Sequence, residues 1–330
     1  MAALCLIAQP ATAQLPQARL NAVFPTGGQR GTTVDLTLAG GTDLDEASQL
    51  YFSHAGITAA PKTQTIDGKP HPIAGQFVVT IAADVPVGVY DVRARSLYGL
   101  SNPRTFTVGD RKEIVEVEPN NTPDKPMAIE LNTIVNGKSD GGADIDWYKF
   151  AAKAGQRVLI ELRSKQLDSR MEGAVDLLTV TQTGNVIGAG RRIMHRRTLG
   201  RAEPLLDFTV PADGEYLLKV HDFLYNGSAE YVYRLALHTG PHIDFVLPAA
   251  GLPGTTAEYT LYGRNLPGGQ PSTQKAVDGR VLEQLKVQIA LPADPTLLEA
   301  ASQVPPDEAG VDGITWSLAS PAGASNPITI

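Results

Sequence analysis

Apolar and polar residues alternate with a period of two along much of this chain. In "TTVDLTLAG", Thr32 to Gly40, Val34, Leu36 and Leu38 fall on one side, and Thr33, Asp35 and Thr37 on the other. Successive side chains of a strand point to opposite faces, so the pattern predicts strands with one buried face. Further strands are predicted at "WYKFAA", "RVLIELRS", "VDLLTVTQ", "LLDFTV", "YLLKVHDF" and "YVYRLALH", each bounded by glycine, proline or aspartate. "GVYDVRARSLYGLSNP", Gly88 to Pro103, predicts a hairpin turning at Tyr98-Gly99. Helix-period stretches are scarce, and 32 glycines and 24 prolines are spread along the chain. An all-β architecture of short strands joined by turns follows.

The alternation also repeats. "NAVFPTGGQRGTTVDLTLAG", Asn21 to Gly40, aligns without a gap on "DFVLPAAGLPGTTAEYTLYG", Asp244 to Gly263. Val23 and Pro25 answer Val246 and Pro248, Gly28 answers Gly251, and Gly31-Thr32-Thr33 answers Gly254-Thr255-Thr256. "SNPRTFTV", Ser101 to Val108, returns as "SNPITI", Ser325 to Ile330, so the second copy is expected to be truncated inside its last strand. A missed repeat misassigns a fold, and this one brackets a distinct middle segment. Some ninety residues with closely spaced turn signals suit an immunoglobulin-like sandwich.

The opening and the G-x-Y-x-V … S-N close resemble bacterial immunoglobulin-like modules of the IPT/TIG type. Between the copies, "EVEPNNTPDKP", "GGADIDWYKF", "AGQRVLIEL", "LLDFTVPADGEYLLKVHD" and "EYVYRLAL" follow in the order of the bacterial pre-peptidase C-terminal (PPC) domain. That family is a jelly-roll-like sandwich appended to secreted proteases and other exported proteins. The resemblance covers nearly all of the middle segment, and the combination is similar to large exported proteins of planctomycete-type bacteria. It implies tandem β-sandwiches: an immunoglobulin-like module over 19–110, a PPC-like sandwich over 111–240 and a second immunoglobulin-like module over 241–330.

Composition narrows the function. A net charge of -7 lacks the basic footprint of nucleic-acid binding. The single cysteine, Cys5, lies in "MAALCLIAQPATAQ", where an apolar run precedes Ala11-Thr12-Ala13, a small-residue cleavage pattern. Residues 1–13 therefore read as a signal peptide, atypical or beginning further upstream because no basic residue precedes the run. The residues before Cys5 do not form a lipoprotein approach, and no later stretch is apolar enough to span a bilayer. Export to the periplasm, cell surface or medium is the expectation.

Catalytic signatures are missing. The chain holds no H-E-x-x-H, no G-x-S-x-G, no P-loop and no cysteine pair. His238 and His242 have zinc-pair spacing, but Gly240-Pro241 rules out a helix between them, and an exposed linker is expected. "VIGAGRR", Val186 to Arg192, reads as a turn.

Three constellations remain. In "VEVEPNNTPDKP", Glu116, Glu118 and Asn120 share a strand face at about 6.5 to 7 Å per residue pair. Asp144 and Asp146 form a second acidic pair. Gathered carboxylates raise one another's pKa unless a cation neutralises them, and calcium accepts roughly 6 to 8 oxygen ligands with loose geometry. The family resemblance implies Glu116, Glu118, Asn120, Asn121, Asp144 and Asp146 as calcium ligands. The alternative is a solvated acidic linker with an Asn-Asn-Thr-Pro turn. An oxygen-only set argues against zinc.

The second constellation is "RRIMHRRTLGR", where Arg191, Arg192, Arg196 and Arg197 could hold an acidic polymer bidentately or stand in a solvated hairpin paired with acids. The third is aromatic: Trp147, Tyr148, Phe223, Tyr225, Tyr231 and Tyr233, of which core burial is expected for most and exposure at a loop tip for Tyr225. Together these residues describe a non-catalytic, exported binding or adhesion module that targets a larger secreted protein to a polysaccharide or protein polymer, with calcium stiffening the first interdomain joint. An accessory region of a secreted hydrolase, or a structural spacer, are the alternatives.

Overall fold

The computed structural model describes residues 15–183, 186–199, 202–297 and 313–330. The expected signal peptide with Cys5, and Arg201 of the arginine run, lie outside the described residues. The chain is all β, built of tandem β-sandwiches, and no described helix is long and apolar enough to cross a membrane.

The first sandwich comprises β1 (Arg19–Phe24), β2 (Gly27–Gln29), β3 (Thr33–Thr42), β4 (Gln49–Phe52), β5 (Ile57–Ile66), β6 (Lys69–Ile81), β7 (Gly88–Ser96), β8 (Gly99–Leu100) and β9 (Arg104–Gly109). They form one sheet in the order β1-β3-β6-β5 and a second in the order β2-β9-β7-β4. Phe77, Tyr90 and Phe106 are buried between them. The hairpin within "GVYDVRARSLYGLSNP" turns at Leu97-Tyr98, with Ser96 opposite Gly99, one residue earlier than the pattern predicts.

The middle sandwich comprises β10 (Lys112–Val115), β11 (Met127–Ala128), β12 (Thr133–Lys138), β13 (Asp146–Ala152), β14 (Arg157–Arg163), β15 (Gly173–Thr183), β16 (Val186–Arg197), β17 (Leu205–Thr209), β18 (Gly214–Asp222) and β19 (Val232–His238). One sheet runs β10-β12-β19-β14-β17 and the other β11-β13-β18-β15-β16. Tyr148, Phe150, Ile160, Leu218 and Leu235 interdigitate between them. Fully burying each such aliphatic or aromatic side chain contributes roughly 1.5–3 kcal/mol. "VIGAGRR" is part of an edge strand and not a turn. Glycine suits this edge because a Cβ on Gly190 would stand 2.3 Å from Thr179 Oγ1, whose hydroxyl instead accepts from Arg191 N at 2.9 Å.

The third set comprises β20 (His242–Leu247), β21 (Thr256–Arg264), β22 (Gln270–Lys275), β23 (Val281–Ala290), β24 (Thr315–Trp316) and β25 (Ile328–Thr329), in the orders β20-β21-β23-β22 and β24-β25. The sequence repeat is also a repeat of register: Phe24 faces Thr37, and Leu247 faces Thr260. Its Ser-Asn-Pro element has a mechanical role. Asn102 accepts from Leu20 N and donates to Leu20 O, both at 2.9 Å, and Asn326 makes the same pair with Ile243 at 2.7 and 2.9 Å. Each asparagine thus clamps the first strand of its own copy on the edge where no described strand pairs with it.

The outward face of the β14 sheet is polar, yet it is buried. Period two points Val158, Ile160 and Leu162 into the core and Arg157, Glu161 and Arg163 outward. Both flanking bodies dock on this face. Asn136 meets Thr26 at 3.4 Å on one side; on the other, Arg157 reaches Glu283 and Arg264 reaches Asp207. Arg111 donates to the carbonyls of Ala322 and Ala324, joining the stretch after the first sandwich to the third. His238 and His242 are consequently not an exposed linker. Both nitrogens, His238 Nε2 and His242 Nδ1, lie 2.9 Å from Glu161 Oε1, and His238 is 2% exposed. The docked bodies exclude water from residues that their own strands place outside the core.

Candidate metal centre and binding surface

The acidic segment leaves β10 and crosses the end of β13. Glu116, Glu118 and Asp146 bring one oxygen each to within 4.8 Å of one another. Asp146 heads β13 and points inward, because it shares a face with the core residues Tyr148 and Phe150. Glu116 is buried, whereas Glu118 is exposed and opens the cluster to solvent.

Two tyrosines close the floor. The hydroxyls of Tyr148 and Tyr233 are 2.5 Å apart, and each lies 3.1 Å from Glu116 Oε2. Tyr233 also donates to Asp146 Oδ2 at 2.6 Å, and Lys138 N donates to Glu116 Oε1 at 2.7 Å. Burial pushes the Asp146 carboxyl up to about 9, with the charge of Glu116 adding to the effect. It pushes Glu116 up to about 7, against the hydrogen bonds from Lys138 and the tyrosines. Two buried carboxyls this close do not both ionise without a compensating positive charge.

Asn120 brings a carboxamide to the cluster. It is 1% exposed, and one side of its carboxamide faces only carboxylate oxygens, at 3.1 and 3.3 Å for Glu118 and 3.3 Å for Asp146. With nitrogen on that side the amide donates to the acids; with oxygen there it becomes a ligand beside them. Which atom stands there is assigned from its partners, so the amide can serve either state by a half turn. The donor set is oxygen only, which fits a hard divalent cation.

The other two expected ligands stand one layer out. Asp144 accepts from Asp140 N at 2.8 Å and from Asn121 Nδ2 at 3.2 Å, so this pair holds the loop around the cluster. Sequence reasoning missed the tyrosine floor. The signal was available for Tyr148, which lies two residues beyond Asp146 on one strand, but Tyr233 arrives across the sandwich.

Tyr233 sits opposite Gly137 in the β12–β19 pair, and a Cβ at Gly137 would lie 2.3 Å from the Tyr233 ring. Gly137→Ala is therefore expected to displace the hydroxyl from Glu116 and Asp146. Overpacking of this kind costs about 1–3 kcal/mol, readable as a lower urea midpoint, together with weaker cation binding in a titration.

A surface lies next to this centre. The register aligns Trp147, Lys219, Asp176 and His195 across β13, β18, β15 and β16 on the outer face of the second sheet. The loop after β18 folds back over it. Asp222 shapes that loop by accepting from Leu224 N and Asn226 N at 3.0 Å each. Tyr225, at φ 57°, stacks on His221 with centroids 4.5 Å apart and planes 3° from parallel, and Lys219 Nζ is 5.6 Å from its centroid. Phe223, Leu224 and Tyr225 remain 39%, 68% and 42% exposed. The Tyr225 carbonyl accepts from Ala143 N at 2.8 Å, which ties the loop to the acidic one.

The arginines do not form one fork. Arg197 lies 4.1 Å over the Phe223 ring, while Arg192 and His195 pair with Asp176 at 3.4 and 2.8 Å. Arg196 donates to the His195 carbonyl at 2.9 Å, and Arg191 is exposed. Trp147, Tyr148 and Tyr233 are buried and Tyr231 half-buried, leaving Phe223 and Tyr225 as the exposed aromatics of this group.

No protein-family model matches the chain, and no curated protein matches it. Among solved structures, the pre-peptidase C-terminal domain of a collagenase from Bacillus anthracis is similar at 20% identity, covering 36% of this chain and 99% of that one with a TM-score of 0.26. A carbohydrate-binding module of the β-sandwich superfamily is similar at 10% identity over 68% of this chain and 98% of that one, with a TM-score of 0.23. PliG of Aeromonas hydrophila, a periplasmic inhibitor of g-type lysozyme, is similar at 15% identity over 38% and 96%, with a TM-score of 0.22.

Proposed function

We propose that this chain is an exported, non-catalytic binding module that attaches a larger secreted protein to an extracellular polysaccharide or protein polymer, with calcium ordering the binding end of its middle sandwich. One observation carries the reading. An exposed Phe223-Leu224-Tyr225 tip, edged by Arg197 and Lys219, is hydrogen-bonded through Ala143 to the loop that encloses an oxygen-only acidic cluster. A flat aromatic ring with basic neighbours suits a sugar ring bearing acidic groups, because stacking and charge act on the same residue.

Glu116, Glu118, Asn120 and Asp146 are the calcium ligands in this reading, with Asn121 and Asp144 holding the loop. Bound calcium supplies the positive charge that lets the buried carboxylates ionise together. The protein's part is to hold those oxygens convergent through the tyrosine floor, so that less ordering entropy is lost when a polymer binds. Lys138 extends this order to the first interdomain joint: its N–H holds Glu116, and its Nζ lies 5.5 Å from the Phe24 ring of the first sandwich.

Retention on insoluble acidic polysaccharides and on fibrous protein tests the surface. The full chain is expected to be retained, and Tyr225→Ala to weaken retention about tenfold, corresponding to the upper end of one aromatic contact. Equal retention of the variant removes this surface from the proposal. A structural spacer is the second reading, favoured by the polar network that fixes the three bodies together, and it predicts no retention on any polymer.

A further inference from the structure

β5 and β6 run on beyond the sheet that carries them. β3 pairs with β6 only from Gln76 to Thr80, whereas β5 and β6 stay paired out to Ile66 and Lys69. The projecting arm, residues 63–72, is exposed on both faces. A two-stranded ribbon with no hydrophobic face to bury is marginal in water and is stabilised by further strands.

The turn at its tip fixes which backbone groups face outward. Asp67 and Gly68, at φ 50° and 75°, make the two-residue connection typical of a type I′ hairpin, so Ile66 and Lys69 close it as a hydrogen-bonded pair. Hydrogen-bonded and non-hydrogen-bonded pairs alternate along an antiparallel ladder. Gln64 and His71 are therefore bonded to each other, while Thr63, Thr65, Pro70 and Pro72 turn their backbone groups away from the ribbon.

The two edges of the arm differ. On the β6 side both outward positions are proline, which offers no N–H and so guards that edge against strand pairing. On the β5 side Thr63 and Thr65 keep both N–H and C=O, and β5 is the last strand of its sheet. Lys62, the one charged residue of β5, is set out of the ladder by the bulge between Pro61 and Thr63 and pairs with Asp35 at 2.6 Å. One edge is guarded and the other is open.

The sequence of the open edge indicates whose strand it takes. Thr63-Gln64-Thr65 reads the same in both directions, so a twofold axis at Gln64 sets Thr63 of one copy opposite Thr65 of the other and Gln64 opposite itself. Each threonine pair then exchanges both N–H···O bonds, because these are the outward-facing residues, and no like charges meet. An isologous contact requires this self-complementarity. We propose that two copies of this chain pair antiparallel through β5 about Gln64, joining their arms as one ribbon in the order β6-β5-β5-β6. The contact is short, which makes the dimer a reversible one.

Sedimentation equilibrium of the full chain, from micromolar to millimolar, tests the pairing. The mass is expected to rise toward that of a dimer with concentration. Gln64→Lys and Gln64→Glu each set like charges on the axis and are expected to weaken the dimer about fivefold, whereas an equimolar mixture of the two recovers the parent behaviour. Thr65→Pro removes the outward N–H, as Pro70 and Pro72 do on the other edge, and is expected to weaken the dimer at least about tenfold. Both positions are exposed, so the melting temperatures of the variants should match the parent's and separate lost pairing from lost folding. A monomeric mass at every concentration, a dimer indifferent to these substitutions, or a mixture no tighter than either charged variant overturns the proposal.

Discussion

At pH 8, excess calcium raises the melting temperature of the full chain, and a chelator lowers it again. At calcium about 100 times its dissociation constant the gain is roughly 2.7 kcal/mol. The sign with pH follows from the buried acids. Without the ion, Glu116 and Asp146 titrate at about 7 and about 9 in the fold, above their ordinary values of 4.5 and 3.8. A carboxyl with a raised pKa takes up a proton on folding, so its neutral form supports the fold below about pH 4. That support is lost as pH rises through 7 and 9. The calcium-free protein is therefore expected to lose stability between pH 5 and 9.

Calcium reverses this trend, since its ligands must be deprotonated. Its stabilisation is large at pH 8 and disappears near pH 5, where protons compete for the same oxygens. Glu116→Gln/Asp146→Asn has the opposite profile. Replacing both carboxyls by amides removes the buried charge that Glu116 carries at pH 8, which raises the calcium-free stability there, and it abolishes the response to calcium. Superimposed melts of the parent with and without calcium at pH 8 exclude the ion from this cluster, as does an undiminished response in the double variant.

Arg264→Leu is expected to cost about 3–5 kcal/mol, the usual consequence of stripping one partner from a buried charge network. Arg264 is 3% exposed at its side chain and serves three acids: Asp278 at 2.8 Å, Asp244 at 3.2 Å and, across the junction, Asp207 at 3.2 Å. Burial by itself would lower its pKa, but hydrogen bonds to Asp244 and Asp278 hold it above the ordinary arginine value. Asp207 is wholly buried, and burial opposes its charge. The Arg157 fork at 2.6 and 2.7 Å, with the nearby arginines, nevertheless keeps its pKa below the ordinary value.

The variant leaves Asp207 with Arg157 alone among these side-chain pairs and leaves Asp244 and Asp278 facing each other unneutralised. Because the network joins two bodies, the readout is a change in cooperativity as well as in midpoint. The third sandwich should unfold in a separate, earlier step of a urea titration, followed by tryptophan fluorescence through Trp316. A single transition at the parent midpoint would sink the assignment of this network as the clamp.

Much of this was legible along the chain, for reasons that differ from residue to residue. The period-two runs located β13, β14, β15, β17, β18 and β19 because a strand with one buried face must alternate. The aligned repeat located the equivalent strands β1 and β3, β20 and β21, because the same backbone need recurs in both copies; the recurring Ser-Asn-Pro element was visible as well, but its clamping role was not. The acidic segment was visible for its density of oxygen donors. β16 was hidden, since its glycines and arginines look like turn chemistry until Thr179 is seen to occupy the space beside Gly190.

By itself, then, the sequence determined that the protein is all β, where most of its strands lie and which acids are candidates for a cation. Alternation carries that information because it is local, set by residues two apart on one strand. Only the tertiary structure decided that the polar face holding Glu161, Asp207, Arg234 and His238 is buried, and that Tyr233 closes the floor beneath Glu116 and Asp146. Period two says which face is polar but not what lies against it. That depends on partners such as Arg157 and Glu283, 126 residues apart, which meet only when separate sandwiches dock.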